Sequence, residues 1–227
     1  MAIMDDLDNP IHAALRTLHH GIAMQAGVAL RYPSAYAPFF AVPDETSDVD
    51  ESLDALVAPV ETVYLLGVAP KKVRDAKMHA FAPLAQMVCD APLPSIDGPP
   101  IMPLGIDHRD DVLALTAVVY PHYFRPRTME MGRYFGIYEG GQLAAMIGER
   151  LGSTTTREIS AVCTSPDCNG RGYARRLMAY LTNDLIASNI QPFLHVSHEN
   201  ERAKEMYERI GFRLRRDIGF WSLRHER

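Results

Sequence analysis

The chain has 227 residues, 47% of them apolar, and a formal charge of −5 at neutral pH. That length suits one large domain or two small ones, and the acidic balance argues against nucleic acid as a partner. No apolar run is long enough to cross a membrane, the acidic start lacks the basic-then-apolar pattern of a secretory leader, and three cysteines without zinc-like spacing (Cys89, Cys163 and Cys168) fit a reduced, cytoplasmic setting with no metal site.

Asn9-Pro10 reads as a helix start, with Ile11, Leu15, Leu18 and Ile22 continuing one face. Short strands are expected at 28–32 and 39–42, interrupted by Pro33 and Pro38, then a short helix at 51–57 and strands at 62–68 and 86–89. His19-His20 has no second ligand pair at useful spacing and reads as an exposed or capping pair. The five prolines of residues 91–103 remove backbone donors and disfavour helix and central strand, which marks a boundary there. A smaller N-terminal α/β domain (1–95) is therefore expected before a second domain (101–227).

The second domain opens with a strand at 104–106 and a helix capped by Asp107, running to about Tyr120 with Val112, Leu115 and Val119 inward and ended by Pro121. Residues 124–132 form a loop or short helix carrying Arg125 and Arg127. Strands at 134–138 and 143–150 are joined by Glu139-Gly140-Gly141, a hairpin signal, and a strand at 158–164 completes an antiparallel meander. Short strands at 212–214 and 220–223 end the chain.

Between these lies the stretch with the clearest chemistry, REISAVCTSPDCNGRGYARR at 157–176. A strand leads through a glycine-bearing turn into a helix whose apolar face is Ala174, Leu177, Met178, Leu181 and Leu185. The first amides of such a helix lack partners and carry partial positive charge, so they can hold a phosphate. Gly170 and Gly172 let a ligand approach the main chain, and Arg175 and Arg176 either meet a nearby anion or are solvated surface charges. A dinucleotide-binding turn is the weaker alternative: Arg175 replaces its third glycine, Ser165–Asn169 separate strand from turn, and too little chain follows for a doubly wound sheet. A Walker-type loop is excluded, because no Gly-Lys-Ser/Thr follows. What the residues themselves support is an anion site for a phosphate-bearing ligand; the resemblance that follows makes it the pyrophosphate of an acyl-coenzyme A.

These residues resemble the GNAT acetyltransferase superfamily, whose hallmark is Gln/Arg-x-x-Gly-x-Gly/Ala. Gly172-Tyr173-Ala174 fits its second half, Arg171 is common in the family, and Asn169 stands where Gln or Arg is usual. A second block, residues 191–212, supplies Asn200, Ala203, Tyr207, Gly211 and Phe212 in the family's order and spacing. The resemblance covers roughly residues 101–227 and looks closest to the branch related to glycine N-acyltransferases. It implies an α/β fold, a mixed and mostly antiparallel sheet flanked by helices, and direct acyl transfer from acetyl-coenzyme A to an amine acceptor. It further implies that the backbone of Val162 and Thr164 binds the pantetheine arm, and that the turn from Asn169 and Gly170 through Arg171, Gly172, Tyr173 and Ala174, with Asn200, binds the donor. Tyr207 is then the general acid. Glu158, sixteen residues before Ala174, is either the general base, its carboxyl pKa raised by burial, or a partner in a strand-end salt bridge, with Glu149 in reserve as base. The loop with Arg125 and Arg127 borders the acceptor pocket in such proteins, where the two arginines either meet an acidic acceptor or are simply solvated. Cys163 reads as a small buried apolar residue rather than a nucleophile, and His195 as a hydrogen-bonded core histidine. The rival function is a non-catalytic coenzyme A-binding module with a regulatory or partner-binding N-terminal half; a nicotinamide-dependent oxidoreductase is more distant.

Overall fold

The computed structural model describes residues 5–119 and 124–226. Its first part runs α1 (Pro10–Arg16), β1 (Met24–Ala26), β2 (Ala29–Arg31), β3 (Phe40–Ala41), α2 (Asp50–Leu56), β4 (Thr62–Leu66), β5 (Ala76–Ala80) and β6 (Leu84–Val88). The second runs β7 (Met102–Leu104), α3 (Arg109–Val119), β8 (Tyr134–Glu139), β9 (Gln142–Gly152), β10 (Thr156–Thr164), α4 (Tyr173–Ala187), β11 (Gln191–Ser197), α5 (Glu201–Ile210), β12 (Arg213–Ile218) and β13 (Phe220–His225). Among the described residues no helix is long and apolar enough to cross a membrane.

Seven strands form the central sheet, in the order β12-β6-β11-β10-β9-β8-β7. Every neighbouring pair is antiparallel except β10 and β11, which are joined through α4. Gly140 and Gly141 take positive φ (58° and 80°), the backbone that the tight β8–β9 turn requires. Alternate side chains of β9 then serve two layers. Ala145 and Ile147 pack with Leu177, Leu181 and Leu185 of α4. Met146 points the other way, against Val112 and Leu115 of α3. The expected mixed, mostly antiparallel sheet flanked by helices is the observed architecture.

The boundary expected between residues 95 and 101 does not divide the hydrogen bonding. Strand β6, from before the prolines, lies between β11 and β12. In exchange, the last strand, β13, leaves the central sheet to pair with β4 on one side and β5 on the other. Proline interrupts local backbone bonding; it does not decide which distant strands meet. The proline segment is itself fastened to α4. Asn183 accepts from Leu93 N (2.7 Å) and donates to its carbonyl (2.9 Å), and Arg176 donates to the carbonyls of Pro99 (3.0 Å) and Ile96. Arg176 is therefore turned away from the glycine turn, contrary to the anion-partner reading.

Other local readings also change. α1 ends at Arg16, leaving Leu18 exposed, because His19 turns inward. Its Nδ1 meets the Tyr32 hydroxyl at 2.6 Å and its Nε2 the Met131 carbonyl at 2.8 Å, so it is not an exposed pair with His20. Asp107 sits within a 3-10 turn capped by Gly105 rather than capping a helix itself. Val112 and Leu115 are buried as expected, but Val119 is not in the core. Tyr120 and Pro121, the expected helix end, lie outside the described residues. β1 and β5 carry too little apolar alternation to be read from sequence; β5 is mostly exposed.

Candidate active site

The site begins where two strands part. β10 and β11 pair in parallel only over Thr156–Glu158 against Gln191–Phe193. Beyond that point β10 stays with β9 as far as Thr164↔Ala145, while its other edge leaves β11. A register shift between Ser160 and Cys163, with Ala161 at φ 50°, marks a bulge that increases the local bend. The gap is a cleft of about 380 Å³, floored by residues 160–163 and 194–197, with Asn200 and Tyr207 at its α5 side. Val162 lines it; Thr164 does not and remains beside β9.

The chain leaves β10 through a 3-10 turn at Pro166–Cys168 and an extended Asn169. Gly170 and Gly172 follow at φ 80° and 81°, in the left-handed region where a side chain is strained. A Cβ at either would meet nothing within 4 Å, so the main chain is open to an incoming group. Gly172 is the N-cap of α4, and no side chain caps that terminus. Arg171 pairs with Glu139 and donates to the Asp167 carbonyl at 3.2 Å, while the Tyr173 hydroxyl donates to Glu139 at 2.8 Å. These two side chains brace the turn against the β8–β9 hairpin, which leaves ligand contact to the amides. Ala174 is the second residue of the helix, between Tyr173 and the exposed Arg175. Asn200 accepts from Ala203 N at 3.2 Å and caps α5, on which Tyr207 is buried beside Phe212 with ring centroids 6.2 Å apart.

Beneath the cleft lies a closed polar network. Glu158 is 1% exposed and receives Arg150 through two bonds (Nε to Oε2, 2.9 Å; Nη2 to Oε1, 2.7 Å), the amide of Leu151 (3.3 Å) and Nδ1 of His195 (2.8 Å). On its far side His195 Nε2 lies 3.0 Å from the amide nitrogen of Gln86. The Gln86 oxygen accepts from Arg215 (3.0 Å) and its nitrogen donates to the Leu7 carbonyl (2.8 Å), which fixes that amide's direction. His195 therefore accepts at Nε2 and donates at Nδ1, the neutral tautomer. Burial alone would raise the Glu158 carboxyl, but the Arg150 charge and the Arg150 and His195 hydrogen bonds outweigh it and hold the group well below the usual carboxylate range. Of the two readings of Glu158, the geometry is that of the salt bridge and not of a raised carboxyl ready to take a proton. Glu149, the reserve, is buried against Arg133 (2.9 Å from Nε) and lines no part of the cleft.

Known proteins share this fold. The FR47-like protein family model matches residues 134–221, from β8 into β13. A GNAT-family protein from Novosphingobium aromaticivorans DSM 12444 superposes with a TM-score of 0.87 at 31% identity, over 97% of this chain and 98% of that one. The chain belongs to the GNAT acetyltransferase family. At 12% and 11% identity, a GCN5-related N-acetyltransferase from Kribbella flavida and a GNAT-family acetyltransferase from Colwellia psychrerythraea share the fold alone. Their TM-scores are 0.60 over 96% of both chains, and 0.54 over 99% of this chain and 91% of that one. No curated protein matches the sequence.

Within this GNAT chain the β10 part of the first block, Glu158 to Cys163, lines the cleft together with Asn200, the cap of α5, and Tyr207 of α5, while the glycine turn lies further along the chain, at the start of α4. Arg125 and Arg127 do not join them: Arg127 pairs with Glu130 (2.7 Å) and lies over the Tyr36 ring, 4.3 Å from its centroid. Cys163 lines the cleft, but burial pushes its thiol up to about 12, so the thiolate needed for covalent chemistry is disfavoured. Cys163→Ala is accordingly expected to keep turnover within about threefold of the parent in a thiol-release assay. Sequence reasoning missed Gln86, Arg150 and the apolar residues Phe39, Leu66 and Phe220, which line the cleft from outside the central sheet, with Leu84 of β6 beside them. Only Arg150 carried a signal, as an opposite charge across a hairpin from Glu158. Among the described residues, no three His, Cys, Asp or Glu side chains are grouped to hold a metal ion.

Proposed function

We propose that the chain is an N-acetyltransferase that passes an acetyl or other short acyl group from acyl-coenzyme A to an amine within a ternary complex. The observation that carries this reading is the continuity of the parted β10–β11 strands with the uncapped start of α4. The chain's own groups suit such a donor. Amides at the 169–174 turn face a pyrophosphate with the favourable end of the helix dipole. The β10 edge that has left β11, including Val162, offers unpaired backbone to a pantetheine amide, and an amide there polarises the thioester carbonyl. Asn200 and Tyr207 stand at the sulfur end, where the Tyr207 hydroxyl gives its proton to the departing thiolate. Glu158 positions the floor through Arg150 and His195 and is not the base. The acceptor amine therefore loses its proton to solvent or to bound water. Within the family we place the chain nearest the glycine N-acyltransferases on the strength of residues 191–212. Three free cysteines fit a reducing cytoplasm.

Calorimetric titration with acetyl-coenzyme A tests the donor site. Saturable binding is expected, and Gly172→Glu should abolish it by adding strain and a negative charge at the helix start. Failure of acetyl-coenzyme A and of longer acyl forms to bind overturns the reading. Tyr207→Phe should then lower kcat by about 10²- to 10⁴-fold while the KM for the donor stays within a few fold. Donor binding without acetylation of any amine would make the chain a coenzyme A-binding module instead.

A further inference from the structure

The cleft has a wall that the family motifs do not account for. Phe39 comes from just before β3, Leu66 from the end of β4 and Phe220 from the start of β13, all outside the central sheet, and Leu84 of β6 adds to the lining from beside Ser197 of β11. Phe220 belongs to a group of rings. Tyr64 stacks on it at 5.6 Å and Phe81 at 5.1 Å between centroids, and His79 meets Phe81 edge-on at 4.9 Å. Phe39 lies beneath the Arg150 guanidinium, 5.1 Å from its ring centroid. The wall is thus apolar, aromatic and braced from behind.

The floor supplies the complementary restriction. Among the described residues lining the cleft, the one carboxylate is Glu158. Its four acceptor positions are taken by Arg150 twice, Leu151 N and His195. Nothing is left there to hold a second ammonium or a cationic tail. A polycationic acceptor would bring its second charge beside the Arg150 guanidinium, which already covers Phe39, with no free carboxylate to offset the lost hydration, which is costly. An amine on a flat apolar body would bury that body on Phe39 and Phe220.

We propose that the acceptor is an arylalkylamine: a primary amine on a short chain carrying an aromatic ring, seated against Phe39, Leu66, Leu84 and Phe220. This rests on the acyltransferase reading above, and it gives the N-terminal half of the chain a role as the acceptor wall.

The test uses the full chain with saturating acetyl-coenzyme A and compares 2-phenylethylamine with spermidine by thiol release. A kcat/KM at least about 10²-fold higher for phenylethylamine is expected. Phe220→Ala should raise the phenylethylamine KM roughly 10- to 10²-fold, and Phe220→Leu by less, with the acetyl-coenzyme A KM unchanged as the check that the fold is intact. Preference for spermidine, or an unaltered phenylethylamine KM in Phe220→Ala, overturns the inference while leaving the acyltransferase reading standing. Saturation-transfer NMR of phenylethylamine on the coenzyme A-loaded protein supplies a readout without turnover. If no amine is acetylated, the transferase reading fails, and the ring signal alone decides the wall: a signal lost in Phe220→Ala supports it, and no signal overturns it.

Discussion

A chain that begins at residue 101 is expected to be unfolded, although it keeps every GNAT motif residue from Asn169 to Phe212. The missing β6 contributes paired residues to both neighbours, from Phe193↔Val88 to Ser197↔Leu84 on β11 and from Arg213↔Val88 to Ile218↔Leu84 on β12. Without it, β11 is left with three residue pairs to β10, and β12 loses its only strand neighbour in the sheet order. Met87 and Val88 are fully or almost fully buried in two different apolar clusters. Each such side chain contributes about 1.5–3 kcal/mol, against a total domain stability of about 5–15 kcal/mol. The truncation also strips β4 and β5 from β13 and so exposes Leu223, which is wholly buried in the whole chain. Far-UV circular dichroism and urea unfolding of residues 101–227 check this. A cooperative transition in that fragment would show that the second half folds alone and that the interleaved strands are accessory.

That interleaving also sets what a sequence can disclose. The glycine turn was legible because its chemistry is local: a strand, two small residues that need positive φ, and an uncapped helix start lie within twenty residues. The α5 block was legible for the same reason, with Asn200 as cap and Gly211 ending the helix in the left-handed region. Strand β6 was found as a strand but not as a neighbour of β11 and β12, since nothing in residues 84–88 encodes a partner more than a hundred positions away. The acceptor wall failed for this reason too. Phe39, Leu66 and Phe220 look like ordinary core residues until topology assembles them. Glu158 stayed undecided for a different reason. It lies on the strand expected there, but whether burial raises or a neighbouring charge lowers a carboxyl depends on side-chain geometry. Here the Arg150 fork reaches across the β9–β10 hairpin and decides the sign.

Removing that carboxylate should be the most damaging single substitution in the cleft. Glu158→Ala leaves the Arg150 guanidinium, 14% exposed, and the His195 imidazole, 2% exposed, without their shared acceptor. Breaking a buried pair from one side typically costs about 3–5 kcal/mol, because an uncompensated charge remains. Loss of much of the urea-unfolding free energy at pH 7 is therefore expected, with Glu158→Gln less affected because an amide oxygen still accepts. The pH dependence separates an ion-paired carboxylate from a proton acceptor with a raised pKa. A carboxyl held low in the folded state binds fewer protons than the unfolded chain does, so its contribution is complete above the unfolded carboxyl value of about 4.3 and is lost as pH falls below it. A raised carboxyl would act with the opposite sign, losing its contribution as pH rises. The wild type should thus lose stability on acidification from pH 5 to pH 3, and Glu158→Gln should lose measurably less over the same interval. Parallel losses in the two proteins would mean that Glu158 carries no such linkage, and the ion-pair account of the cleft floor would fall with it.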